Sequence, residues 1–183
     1  MTYQLLQVAD SHIPYLYEWD RTEKERELYT CRPLHQLLPF DEYKQNHISA
    51  IISGKKEVFV LIEDGDITNP MGKVTLFDYN SRNHSKEVGY YIPPSFRSKG
   101  LGFVMLSSLL TRALSKEGGL NKIYATTSSD NIQSIGLLEK TGFMLDGRLR
   151  EHYWIKDKKF DQLHYSILQR ELSSKSVKGR RQD

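Results

Sequence analysis

The chain has 183 residues, of which 38% are hydrophobic and 27% are charged, enough for one hydrophobic core. Its mean hydropathy is -0.56, and no apolar run approaches the ~20 residues that a membrane-spanning helix needs. The net charge of +3 is too small to predict a nucleic-acid partner by itself. We therefore expect a soluble domain whose partner is neither a membrane nor a nucleic acid.

The domain organisation follows from how evenly the composition is distributed. No repeat, low-complexity segment or Gly/Pro/Ser-rich linker interrupts residues 1–172, which predicts one continuous domain. Residues 173–183 contain four cations and few apolar side chains, a composition typical of a disordered tail. The first residues lack the basic, apolar and small-residue parts of a secretory signal, so we expect a cytoplasmic protein.

The cysteine and histidine content argues against a metal site. Cys31 is the single cysteine, which excludes an internal disulfide and a cysteine-built zinc site. The six histidines show no paired spacing of the HExxH kind. We predict no metal and interpret Cys31 as a small hydrophobic residue.

The spacing of apolar residues predicts the order of elements. In the first half of the chain we expect a strand over 3–8, helices over 13–19 and 40–52, an irregular stretch over 29–39, and strands over 58–64, 73–79 and 87–92. The last three strands are separated by short polar turns, which indicates an antiparallel meander.

The second half alternates helices and strands. We expect a helix over 101–116, a strand over 122–128, a helix capped by Asp130 or Asn131 and ended by Gly142, and a hairpin of strands over 143–155 and 160–168. Together the elements predict an α/β (α+β) fold, in which helices cover both faces of a mixed central sheet.

One loop has the features of an anion site. The strand over 87–92 ends at Pro93 and Pro94, and a loop containing Gly100 and Gly102 then opens the next helix. A helix N-terminus offers unpaired N–H groups and a positive dipole end, and glycine lets a diphosphate approach the backbone closely. The sequence therefore predicts a diphosphate site here.

The spacing of this loop excludes two common nucleotide motifs. A Walker A loop needs GxxxxGK followed by Ser or Thr, which is missing, and the dinucleotide fingerprint needs a small residue where Met105 stands. Arg97 and Lys99 would add attraction for an anion. The two glycines alone are equally compatible with a plain turn into a helix.

Two motifs in chain order carry a resemblance to a known family. Arg97-x-x-Gly100-x-Gly102 is followed by Asn131-x-x-Ser134 and by the helix end LLEKTGF. This arrangement resembles the GNAT superfamily of acetyl-CoA-dependent N-acetyltransferases. The segment EVGY and the closing hairpin resemble most the RimJ/RimL branch, and the resemblance extends over residues 3–172.

The resemblance implies a GNAT-type fold, with a mostly antiparallel central sheet, and a set of residues that hold acetyl-CoA. The pyrophosphate would lie against the N–H groups of Arg97, Ser98, Lys99, Gly100, Leu101 and Gly102. The pantetheine arm would be bonded by Tyr90, Tyr91, Ile92 and Asn131. The two prolines would help to splay this strand from the strand over 122–128 and so open a slot for the cofactor.

The resemblance also implies direct acetyl transfer to an amine, for which a base must remove a proton. Glu87 stands where related histone acetyltransferases have a glutamate base, and is the expected base here. The competing interpretation is a strand-end acid or a salt bridge near Lys86. Glu151 and His152 are the reserve candidates.

Acetyl transfer also requires hydrogen-bond donors for the coenzyme A thiolate that leaves and for the oxyanion of the tetrahedral intermediate. Ser134 matches a serine to which the RimL-like branch assigns contact with the coenzyme sulfur, although it could equally bond the backbone at the helix start. Many family members have a tyrosine acid where this chain has Leu138, so that acid is absent. A backbone N–H near Tyr91 or Ile92 is expected to hold the oxyanion.

The identity of the amine that accepts the acetyl group is what the sequence determines least. The resemblance places the N-terminal helices and the last hairpin around it, which brings Glu18, Trp19 and Tyr153 forward as candidates, with Asp20 and Glu23 available for a cation. A protein N-terminus, a polyamine or an amino sugar would suit, and the protein could form a homodimer. The alternatives are a non-catalytic acetyl-CoA sensor and, on the thin basis of the tail charges, a nucleic-acid protein.

Overall fold

A computed structural model describes residues 2–30, 32, 34, 36–115 and 117–172 of the chain. Within these residues, seven strands form one sheet: β1 (Tyr3–Gln7), β2 (Lys56–Glu63), β3 (Gly72–Asn80), β4 (Ser85–Tyr91), β5 (Lys122–Ser128), β6 (Met144–Ile155) and β7 (Lys158–Leu168). Four α-helices accompany them: α1 (Ile13–Thr22), α2 (Phe40–Ile52), α3 (Leu101–Ala113) and α4 (Ile132–Thr141). The predicted Cys31 environment and the predicted tail over 173–183 lie outside the described residues.

The sheet has the order β1-β2-β3-β4-β5-β7-β6. Every neighbouring pair is antiparallel except β4 and β5, which are parallel. A single crossover, through α3, joins these two strands, as a parallel pair requires. The predicted α/β (α+β) class with a mixed, mostly antiparallel sheet is confirmed.

Helices cover both faces of the sheet. One cluster packs α3 and α4 against side chains such as Phe59 and Leu61. The other packs Leu16 and Trp19 of α1 against the alternate side chains of the same strand, Val58, Val60 and Ile62. Because both faces of β2 are buried, its sequence is a continuous apolar run rather than an alternating one.

Strands β4 and β5 pair over a short distance and then separate. Residues Ser85–Glu87 face Lys122–Tyr124, and no later pair joins the two strands. Beyond that point β4 remains bonded to β3 and β5 remains bonded to β7. The gap between them therefore opens at Glu87, in the middle of the sheet.

The predicted role of the prolines needs correction. The two strands have already separated at Glu87, six residues before Pro93, so the prolines do not open the gap. Pro93 and Pro94 instead end β4 and lead into a single 3-10 turn at Pro94–Phe96. Their effect is to stop the ladder with β3, because proline has no N–H to donate.

Local signals define the ends of α3 and α4. Gly100 has φ +75° directly before α3, a left-handed conformation that favours glycine. The helix ends at Ala113, three residues before the predicted end. At α4, Asn131 rather than Asp130 is the N-cap, since its side chain accepts the N–H of Ser134 at 3.1 Å, and Gly142 ends the helix as predicted.

Crossing a bilayer requires both length and apolar character in a helix, and none of the helices in the described part of the chain has both.

Helix α4 offers a matched test of core packing. Leu138 is fully buried in the cluster between α3 and the sheet, whereas Ile132, on the same helix, is 70% exposed. We expect Leu138→Ala to lower the free energy of unfolding by about 2–5 kcal/mol, because it leaves a cavity in the core. Ile132→Ala should change it by less than about 0.5 kcal/mol. Equal losses in urea denaturation would contradict this packing.

Candidate active site

A cavity of about 610 Å³ occupies the gap between β4 and β5. It runs from the N-terminus of α3 to Glu87, and its walls come from α1, the segment after it, β3, β4, β5 and α4. The candidate residues that line it are Glu87, Tyr90, Tyr91, Ile92, Arg97, Ser98, Gly100, Leu101, Gly102, Asn131 and Ser134. Of the residues expected to hold acetyl-CoA, Lys99 alone does not line the cavity.

Glu87 is the buried carboxylate of this cavity, with 8% of its surface exposed. One oxygen accepts the hydroxyl of Thr126 at 3.0 Å, and the other pairs with the Arg32 guanidinium at 2.8 Å. Burial raises the pKa of Glu87, against the smaller opposing effects of the Thr126 hydrogen bond and the Arg32 charge. A carboxyl group with a raised pKa is a stronger base than an exposed one.

Glu87 does form an ion pair, as the competing interpretation expected, but its partner is not a neighbour of Lys86 in the chain. Lys86 pairs with Glu57, on the neighbouring strand, and the cation at Glu87 is Arg32. Arg32 also pairs with Asp78, and its guanidinium lies 5.0 Å from the Phe77 ring centroid. Arg32 therefore lies at the end of the cavity that holds Glu87.

Sequence reasoning missed Arg32. It is separated from Glu87 by 55 residues, and no motif in the chain connects the two. The one local signal is a cation in a stretch with no regular periodicity, which does not identify a partner.

The turn before α3 is open on the cavity side. A Cβ built on Gly100 would meet no atom within 4 Å, so the space beside this residue is free. The N–H groups of Ser98–Gly102 donate to no group in the described chain, whereas the Arg97 N–H donates to the carbonyl of Pro94 at 3.3 Å. Five free donors at a helix N-terminus fit a pyrophosphate.

Gly102 and Arg97 do not have the roles expected from the sequence, which were close approach of a diphosphate and attraction of an anion. A Cβ on Gly102 would come within 3.0 Å of the Leu137 side chain, so this glycine serves the close approach of α3 and α4. The Arg97 guanidinium pairs with Glu23 at 2.6 Å and donates to the Ile92 carbonyl at 2.9 Å. Its charge is therefore engaged on the α1 side of the cavity rather than offered to an anion at the turn.

The charge of Lys99 is also not directed into the cavity, because its ammonium group lies 5.3 Å from the Phe96 ring centroid. The cation at the α4 side of the cavity is instead Lys140, which the sequence analysis did not assign to the site.

Ser134 and Tyr90 meet across the cavity. The Tyr90 hydroxyl lies 2.7 Å from the Ser134 hydroxyl oxygen, which joins β4 to the first turn of α4. Burial raises the pKa of Tyr90 to about 12, so its phenol stays protonated. The alternative for Ser134, a hydroxyl bonded to the helix backbone, is not what the structure has.

Asn131 has both ends of its side chain engaged. Its oxygen accepts the N–H of Ser134 at 3.1 Å, and its amide nitrogen donates to the Leu28 carbonyl at 3.5 Å. It therefore fills the N-cap role that the sequence analysis left as the alternative to pantetheine binding. It also ties the segment after α1 to α4.

The acceptor candidates fall outside the cavity. Glu18 is exposed, Trp19 is buried against Tyr91 at a ring-centroid distance of 5.9 Å, and Tyr153 is buried on β6. None of the three lines the cavity. The first two side chains lie on faces of α1 that do not point into the cavity. Tyr153 cannot reach it because β6 lies two strands beyond β5 in the sheet.

Helix α1 and its C-cap do supply two carboxylates to the cavity, but neither of them is Glu18. Asp20 and Glu23 line the cavity, paired with Lys73 and Arg97 at 2.6 Å each.

The reserve bases are also excluded by position. Glu151 and His152 are exposed on β6, and Glu151 pairs with Lys159 at 3.0 Å, away from the cavity. Leu138 is fully buried in the core and supplies no acid. Among the described residues, no group of three His, Cys, Asp or Glu side chains could hold a metal ion.

Comparison with known proteins adds relatives of two kinds. The chain is 28% identical over 137 residues to the spermidine N(1)-acetyltransferase of Vibrio cholerae, a match covering 75% of this chain and 78% of that protein. It is 29% identical over 111 residues to YdaF of Bacillus subtilis, whose name assigns it provisionally to the ribosomal N-acetyltransferases. That match covers 61% of this chain and 58% of YdaF.

Among solved structures, the fold is similar to that of a Vibrio cholerae spermidine N-acetyltransferase in complex with CoA and spermine. The TM-score is 0.82 at 21% identity, with 93% of this chain and 98% of that chain covered.

The family model extends over most of the site. Residues 13–143 match the model described as the acetyltransferase (GNAT) family, a range that contains β4, the turn before α3, and α4. The chain therefore belongs to the acetyltransferase (GNAT) family, enzymes whose acetyl donor is acetyl-CoA.

Proposed function

We propose that this chain transfers the acetyl group of acetyl-CoA directly to a primary amine, with Glu87 as the base, in the manner of the RimJ/RimL branch. One observation carries the proposal. A buried carboxylate lies at one end of the cavity between β4 and β5, and a turn of free N–H groups lies at the other. A base and an anion cradle in one cleft are what direct transfer requires.

The turn supports the binding of acetyl-CoA. The N–H groups of residues 98–102 hold the pyrophosphate, and Gly100 leaves room for it. The exposed edge of β4 after Glu87 has lost its partner strand, so its backbone groups are free to bond the pantetheine arm as a strand would. A backbone N–H near Tyr91 or Ile92 stabilises the oxyanion.

Glu87 performs the proton step. A primary amine has a pKa from about 8 for a peptide N-terminus to about 10 for an alkylamine, so at neutral pH most of it arrives as an ammonium ion without a free electron pair. Glu87 accepts the proton, directly or through water, and the neutral nitrogen attacks the thioester carbonyl. Arg32 must yield its place at the carboxylate as the amine enters, which replaces one cation by another.

The charges of the cavity indicate an acceptor with a single positive charge. The carboxylates that line it, Asp20, Glu23 and Glu87, each pair with a cation of the described chain. A polyamine brings further ammonium groups, which would have to displace Lys73 or Arg97 to find a partner. A peptide N-terminus brings one charge, which Glu87 neutralises, and we propose it as the acceptor.

An acceptor panel tests this function. With acetyl-CoA present, amine-dependent release of free thiol is measured for short peptides with a free N-terminus, for the same peptides blocked at the N-terminus, and for spermidine. We expect release with the free peptides and none with the blocked ones. Faster release with spermidine would overturn the acceptor, and acetyl-CoA binding without release for any amine would favour a sensor over an enzyme.

Replacing the base tests the mechanism. Glu87→Gln keeps the shape and removes the proton acceptor, so we expect kcat to fall about 100-fold or more below neutral pH. The loss should shrink as the pH approaches the pKa of the amine, which then loses its proton without help. Burial raises the pKa of Glu87, so the wild-type rate should fall as acid protonates the carboxylate, and the variant should lack this limb.

Glu151→Gln is the matched control for Glu87, because Glu151 is an exposed carboxylate away from the cavity. It should retain the wild-type rate and pH profile. A Glu87→Gln enzyme with normal turnover would show that another group is the base.

The turn can be tested through its glycine. Gly100→Ala places a methyl group in the open space of the cradle, and we expect the Kd for coenzyme A to rise at least about tenfold, the scale of one hydrogen bond to a charged group. Gly54→Ala is the control, since Gly54 has φ +70°, equal free space and no contact with the cavity. Calorimetry that gives both variants the same affinity would contradict the assignment.

A further inference from the structure

The walls of the cavity carry an excess of positive charge. Among the described residues that line it, six are cations and three are carboxylates: Arg26, Arg32, Lys56, Lys73, Arg97 and Lys140 against Asp20, Glu23 and Glu87. Each carboxylate pairs with one cation, which leaves Arg26, Lys56 and Lys140 without an ion-pair partner in the described chain. An ammonium ion that enters adds to this excess, whereas an acceptor that also carries a carboxylate does not.

The three unpaired cations lie on different sides of the cavity. Lys140 belongs to α4, and Arg26 belongs to the 3-10 turn Arg26–Leu28, whose last carbonyl bonds the Asn131 cap of α4. Lys56 is instead the first residue of β2. It shares a face of the sheet with the alternate residues of that strand that pack against α1, so it lies on the α1 side of the cavity.

The strand register puts Lys56 and the proposed base in one row across the sheet. Phe77 of β3 is the partner of Lys56 on β2 and of Glu87 on β4. Directly opposed residues point to the same face, and neighbouring strands lie about 4.8 Å apart, so Lys56 and Glu87 share a face at about 10 Å from each other. Arg32 lies above the middle of this row, with its guanidinium 5.0 Å from the Phe77 ring centroid.

A second cation flanks this row. Lys73 is four residues before Phe77 on β3 and therefore on the same face. Its ammonium group has three N–H donors and uses one of them for Asp20, at 2.6 Å. Burial, followed by the charges of Lys73 and Lys56 and against the opposing charge of Asp20, lowers the pKa of His47 on α2 to about 4. Both lysines thus act on one region, and the neutral imidazole supplies no anion there.

We propose that Lys56 is a specificity-determining residue, which favours acceptor peptides with an acidic side chain at their second residue. The peptide ammonium group takes the place of Arg32 at Glu87, and Arg32 keeps its pair with Asp78. An extended residue spans about 3.3 Å, so the second side chain falls between the base and the Lys56 ammonium group. The carboxylate of that side chain pairs with Lys56.

This inference rests on the proposed acetyl transfer to a peptide N-terminus and adds which peptides are preferred. The competing explanation is that Lys56 is an exposed lysine at a strand start, held only by water. Lys55 provides the comparison, because it is the preceding residue, carries the same charge and is also exposed, but does not line the cavity.

The first experiment measures kcat/KM for three peptides that differ only at their second residue, which is glutamate, glutamine or lysine. In the wild type we expect the glutamate peptide to be preferred over the glutamine peptide about fivefold, the upper end for an exposed ion pair, and the lysine peptide to be the poorest. Equal values for the three peptides would overturn this inference and leave the proposed acetyl transfer intact.

Charge reversal separates a contact from a general effect of charge or of folding. Lys56→Gln should remove the preference, and Lys56→Glu should reverse it in favour of the lysine peptide. A variant that gains activity on one peptide is folded, so this reversal does not depend on stability. Lys55→Glu makes the same change in net charge and should keep the wild-type preference. If it changed the preference as much as Lys56→Glu, the assignment to Lys56 would be wrong.

A second readout does not depend on turnover. Calorimetry with coenzyme A present gives the Kd of the glutamate and glutamine peptides for the wild type and for Lys56→Gln. We expect the glutamate peptide to bind about fivefold more tightly to the wild type and equally to the variant. Equal binding to the wild type would overturn the inference. If no peptide is acetylated but this difference is seen, the proposed function fails and the site at Lys56 stands.

Discussion

The early separation of β4 and β5 is the constraint on which the rest of the site depends. Three residue pairs hold the strands together, and each strand then follows its outer neighbour. A sheet interrupted in this way exposes backbone donors and acceptors in the interior of the domain, where an unbonded group is costly. An extended ligand that bonded the free edge of β4, as we propose for the pantetheine arm, would remove this cost.

The two ends of the cavity differ in their electrostatic character. The turn before α3 offers neutral N–H groups and a helix dipole, which suit a diphosphate. The α1 side of the cavity is lined by the Asp20–Lys73 and Glu23–Arg97 ion pairs, and at the Glu87 end Arg32 pairs with the buried carboxylate. The Arg32 cation at Glu87 opposes, without cancelling, the effect of burial on the pKa of this carboxylate, and so favours the ionised form that the proposed base role requires.

The parts of the structure that the sequence predicts are those with local signals. Gly100 ends its turn in a conformation that favours glycine, Asn131 caps α4, and Gly142 stops it, so the elements on either side fall close to their expected bounds. The contacts between distant segments have no such signal: Arg32 and Glu87 are 55 residues apart. Tyr153 shows the opposite error, an aromatic residue of the closing hairpin that is buried on β6 and does not reach the cavity.

Helix α4 is bonded to both sides of the gap. Tyr90 reaches it from β4, and Tyr165 reaches it from β7, which lies beyond β5 in the sheet. The Tyr90 and Tyr165 hydroxyl groups thus connect the two halves of the sheet to α4, one near each end of the helix. These two hydrogen bonds restrain the distance between β4 and β7, so we expect the opening between β4 and β5 to keep its width when no ligand is bound.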